Sequence, residues 1–82
     1  MIDILKSIDK KVEVVKNFYS ITLRPTSKEI KLQGRFSDEL EELIQDNILG
    51  VHFEDKVISH RKVWKEAEVF FEGVDLIFTL TY

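Results

Sequence analysis

The residues that could do chemistry are few, and their spacing does not favour it. Only two histidines occur, His52 and His60, near Glu54 and Asp55. A nucleophilic triad or a His–carboxylate metal site needs an imidazole held against a second group in fixed geometry. The two histidines stand apart in a mixed-charge segment with no clear periodicity, which reads as surface rather than site. There is no Gly-rich phosphate loop, no G-x-S-x-G elbow and no H-E-x-x-H. With no cysteine in the chain, disulfides and cysteine-ligated zinc are excluded. The expectation is a protein without catalytic residues, cofactor or metal.

Carboxylates are abundant, but their setting argues against acid–base work. Asp38, Glu39, Glu41, Glu42 and Asp46 fall opposite the apolar stripe Phe36, Leu40, Leu43, Ile44 and Ile48. Solvated carboxylates titrate too low to serve as acids or bases at neutral pH. No Lys or Arg lies between Phe36 and Gly50, whereas exposed helices usually mix signs to gain i,i+4 pairs. A field of one sign attracts a basic partner. The acidic helix is therefore a candidate docking face, set against the simpler reading of a wet helix surface.

Two further surfaces compete with it. Arg24, Lys28, Lys31 and Arg35, with Phe18 alongside, interleave basic and aromatic residues as a single-stranded nucleic-acid site would. The count of basic residues is small and the whole chain carries a net charge of −3, so nucleic acid is the alternative partner and a protein the leading one. Trp64, Phe70 and Ile77 are large residues on the side of a hairpin that should be wet. Either the segment 51–62 covers them with Phe53, Val57 and Ile58, or they form an interface. In the second case a homodimer through the sheet is the first expectation, since a small cysteine-free core gains from shared burial.

The elements that must position these residues follow from periodicity. Leu5, Ile8, Val12 and Val15 trace a helix face from Ile2, although the β-branched run at 12–15 favours a helix ending near Lys11. Phe18–Arg24 and Lys28–Gly34 alternate in period two around Pro25 and form a hairpin. Pairing Leu23 with Ile30 sets Ile21 against Leu32 and Arg24 against Glu29, with Tyr19, Ile21, Leu23, Ile30 and Leu32 on one face. Ser37 is a natural N-cap for the acidic helix, and Gly50 a natural left-handed stop. Glu72-Gly73 joins two alternating strands, pairing Phe71 with Val74. Ala67, Val69, Phe71, Val74, Leu76, Phe78 and Leu80 then share one face. Trp64, Glu66, Glu68, Phe70, Asp75, Ile77, Thr79 and Thr81 share the other.

The predicted order is α-β-β-α-β-β in a single α+β domain over 1–82. Two helices cover one face of a four- to five-stranded antiparallel sheet of hairpins. No apolar run reaches signal-peptide or membrane-span length, so the expected setting is the cytoplasm, with no membrane partner. Charge segregates by element, with residues 18–35 at +3 and residues 36–50 at −5. The blocks FYSITLR, IKLQGRFSDEL and VFFEGVDLIFTL resemble short bacteriophage and prophage proteins of unassigned activity. That resemblance implies no chemistry and favours a phage accessory protein that acts by binding another protein.

Overall fold

The computed structural model describes all of Met1–Tyr82. Three helices, α1 (Ile2–Val12), α2 (Val14–Asn17) and α3 (Asp38–Asn47), accompany strands β1 (Ser20–Arg24), β2 (Glu29–Arg35), β3 (Glu54–Ile58), β4 (Arg61–Phe71) and β5 (Val74–Thr81). The strands form one sheet in the order β1-β2-β5-β4-β3. The α+β two-layer arrangement is as expected, and the three neighbouring pairs within hairpins are antiparallel. Where the hairpins meet, β2 and β5 run parallel, so the sheet is mixed. A parallel pair needs a long crossover, and here α3, β3 and β4 together supply it.

The predicted registers hold. Leu23 faces Ile30, Ile21 faces Leu32 and Arg24 faces Glu29, while Phe71 faces Val74 across Glu72-Gly73. The φ values of 48° at Glu72 and 84° at Gly73 give the two-residue turn that suits strand twist. Residues 51–62 resolve into β3 and a second two-residue turn, Ser59-His60, with φ of 51° and 66°. Neither residue is the glycine that marks such a turn in sequence, so the turn was not legible. In the β3–β4 register Lys56 faces Trp64 and Val57 faces Lys62, leaving Val63 as the extra residue of a bulge.

Helix α1 breaks where the β-branched run begins. Glu13 adopts a left-handed φ of 49°, and its N–H donates to the Asp9 carbonyl. The Asp9 carboxylate accepts from Val14 N–H at 2.8 Å, and Asn17 Nδ2 donates to the Val12 carbonyl at 2.8 Å. These side chains satisfy the backbone groups that the break leaves open. The break also rephases the chain. Val14 is buried, while Val15, expected on the apolar stripe, is 86% exposed.

In α3 the stripe behaves as read: Leu40, Ile44 and Ile48 are buried, and Phe36 and Leu43 pack against the core. Ser37 Oγ accepts from Leu40 N–H at 3.0 Å, the predicted N-cap. The helix stops at Asn47, earlier than a cap at Gly50 would place it; Ile48 turns extended, and Gly50 takes φ 85° in the following turn.

Phe78 is the centre of the core, fully buried, with the rings of Phe18 and Phe53 at 6.0 and 6.4 Å. Around it lie Ile30, Leu32, Leu76 and Leu80 from the sheet and Ile8, Val12, Leu40 and Ile44 from the helices. Gly34 lets the chain before β1 pass close over β2: a Cβ there would lie 2.6 Å from the Asn17 carbonyl oxygen and 3.1 Å from Phe18. That approach explains a glycine within a paired strand.

Candidate interaction surface

Helices cover one side of the sheet only, and alternation in each strand decides what the other side shows. With Ile30, Leu32, Leu76, Phe78, Leu80 and Ala67 turned into the core, Lys31, Gln33, Ile77, Thr79, Glu66 and Glu68 must point outward. Trp64 and Ile77 are half-buried among these neighbours, and Phe70 is 71% exposed. The middle of the face is a shallow open trough of about 500 Å³ whose lining includes Thr22, Lys31, Gln33, Trp64, Ile77 and Thr79.

The alternative in which residues 51–62 cover this face is overturned. Phe53 packs against Phe78 on the core side, and Val57 and Ile58 lie exposed at the β3 edge. The reason is that this segment pairs laterally with β4, satisfying its backbone in the sheet plane and leaving nothing to fold over the outer side.

The acidic helix needs one correction. Asp38, Glu39, Glu42 and Asp46 are exposed as expected, but Glu41 is half-buried. Its Oε2 accepts from Lys65 Nζ at 2.7 Å, with the two side chains 19% and 22% exposed. Lys65 belongs to the helix-covered face of β4, in phase with Ala67 and Val69, and its Nζ lies 5.1 Å from the centre of the Phe36 ring. The hydrogen bond from Lys65 to Glu41 raises the Lys65 pKa above the ordinary lysine value against the opposing effect of desolvation. Glu41 therefore ties α3 to the sheet and is not a free docking carboxylate.

A second polar cluster continues from there. Tyr82 packs against Phe36 with tilted rings, their centres 5.0 Å apart, and its hydroxyl donates to Asp55. Lys62 Nζ lies 3.4 Å from the other Asp55 oxygen. The Tyr82 hydrogen bond, followed by Lys62, holds the Asp55 carboxyl below the usual carboxylate range. The same bond raises the Tyr82 phenol. Sequence reading missed this cluster. Its only signal was Lys65 standing in the apolar alternation of β4, a cation on a core face that must find a carboxylate.

The basic first hairpin also loses its stacking residue. Phe18, the aromatic expected to serve nucleic acid, is buried against Phe78 because the chain turns inward before β1. Tyr19, expected on the core face, is 65% exposed, its hydroxyl 3.3 Å from Thr81 Oγ1. Arg24 Nη1 lies 3.7 Å from Glu29 across the hairpin. Lys28 sits in the turn at φ 52°, where its carbonyl accepts from Asp75 N–H. Lys31 and Arg35 remain on the outer face with Trp64 and Ile77, brought there by the parallel β2–β5 pairing.

His52 and His60 are both exposed, His60 at the β3–β4 turn. No three His, Asp or Glu side chains come together in a metal-holding group, and no helix is long and apolar enough to cross a membrane. Compared with protein families, curated proteins and solved structures, the chain matches none of them.

Proposed function

We propose that this chain is a non-enzymatic protein-interaction module whose docking surface is the uncovered face of the sheet. The observation that carries the reading is the placement of Trp64, Phe70 and Ile77 on a face that no segment of the chain covers. Large aromatic and aliphatic side chains set among polar ones are the residues that dominate specific protein interfaces. The acidic side of α3, reduced to Asp38, Glu39, Glu42 and Asp46, is the competing surface for a basic partner.

Capture by the immobilised chain separates the two, with untagged copies of the chain included among the proteins offered. Phe70→Ser with Ile77→Thr should abolish retention of the partner, while Glu39→Lys with Glu42→Lys should leave it unchanged. The reverse pattern would move the docking surface to α3.

A further inference from the structure

The outer face is bipolar, and its two poles lie on either side of β5. On β1 and β2 the outward charges are Arg24, Lys31 and Arg35 against Glu29. On β4 and β3 they are Glu54, Glu66 and Glu68 against Lys56 and, past the bulge, Arg61. One half is thus net positive and the other net negative. A uniformly charged partner such as nucleic acid would be repelled by one half. The face calls for a partner that is itself bipolar, with the poles reversed.

We infer that this partner is a second copy of the chain, packed face to face about a two-fold axis parallel to β5. The inference rests on the docking reading above. Two sheets packed this way lie about 10 Å apart. Because β5 is the middle strand of β1-β2-β5-β4-β3, a two-fold along it lays the positive half of each copy on the negative half of the other. A two-fold perpendicular to the strands would lay like on like. Charge therefore selects the axis.

The register makes the contacts specific. Lys31 and Glu68 flank Ile77 on opposite sides at the same level, since both pair with it. The two-fold sets Lys31 opposite Glu68 of the partner subunit, twice. Two levels along, Arg35 and Trp64 flank Thr81 in the same way, so the Arg35 guanidinium meets the Trp64 ring of the partner subunit, a favoured cation–π arrangement. Ile77 and Thr79 meet their own images on the axis, giving an uncharged centre. Five strands spaced ~4.8 Å apart and about 20 Å long offer a face of roughly 500 Å² per copy, the scale of a small, weak dimer. The mismatches gather at one rim: Asp75 lies on β5 and meets its own image, and Glu29, level with it, faces Phe70 of the partner subunit.

The test is a charge swap read by sedimentation and light scattering at low salt. The wild-type chain should reach a mass of twice 9.7 kDa, and Asp75→Asn should tighten the dimer. Lys31→Glu alone and Glu68→Lys alone should each weaken self-association about ten-fold or more, with circular dichroism unchanged. Mixed in equal amounts, the two variants should form a heterodimer, because both symmetry-related contacts become complementary again. A wild-type chain monomeric at every concentration would overturn the inference, as would a dimer indifferent to both reversals or variants that fail to pair when mixed. If the chain is monomeric and Phe70→Ser with Ile77→Thr still abolishes capture of a different protein, the docking face stands and only its occupant changes.

Discussion

Lys65 reaches from β4 to Glu41 on α3, Nζ to Oε2 2.7 Å, and is the cation that the acidic helix lacks in its own sequence. Pairing across layers anchors the helix to the sheet at the end where the apolar stripe thins to the half-buried Phe36. Glu41→Ala should therefore cost about 1 kcal/mol, more than Glu42→Ala one residue on, where the carboxylate is exposed and has no ion-pair partner. Chemical denaturation of the two variants side by side checks this. Equal stabilities would mean that the Lys65 contact contributes nothing.

The Asp55–Tyr82 hydrogen bond makes stability depend on pH at both extremes. The folded-state pKa of Asp55 lies below its unfolded value, so its contribution is present above the ordinary carboxylate range and lost as pH falls through the folded value. The pKa values of Tyr82 and Lys65 are raised, so their contributions are complete below the unfolded values near 10 and lost as pH rises through the folded ones. Tyr82→Phe should flatten the acid limb and part of the alkaline limb of the thermal midpoint against pH. An unchanged profile would contradict the bond.

Gly34→Ala should destabilise the fold by about 1–3 kcal/mol. The added methyl meets the Asn17 carbonyl oxygen at 2.6 Å, a backbone atom fixed by the turn out of α2. Gly73, with nothing within 4 Å of a built Cβ and φ 84°, should respond to alanine through backbone strain alone, without steric overlap. Equilibrium unfolding of Gly34→Ala at wild-type stability would show that the chain before β1 can move aside.

Phe78→Ala should cost about 3–5 kcal/mol, since the ring is fully buried between Phe18 and Phe53. Phe70→Ala should change stability little, because that ring makes its side chain available to solvent rather than to the core. Thermal melts of both decide the point, and a large loss at Phe70 would argue that it packs within the monomer.

Each hairpin was legible because period-two alternation and turn chemistry are local. Leu23 against Ile30 and Phe71 against Val74 follow from a few residues either side of Pro25 and Gly73. What was not legible was relational. Nothing in either hairpin states that β2 lies parallel to β5, yet that pairing gathers Lys31, Arg35, Trp64 and Ile77 on one face. Glu41 and Lys65 are distant in sequence, so a carboxylate that reads as solvated on a helical wheel turns out to be paired. Phe18 and Tyr19 exchanged roles because the chain enters β1 from a short helix, which resets the alternation one residue before the strand.

The outer face is tested most directly by amide and indole NMR shifts recorded across a dilution series of the isotopically labelled chain. Concentration-dependent shifts should gather on Lys31, Gln33, Ile77, Thr79 and Glu68 and on the Trp64 indole, with Glu39, Glu42 and Asp46 silent. Shifts confined to α3, or a spectrum that does not change with concentration, would contradict self-association through the uncovered face of the sheet.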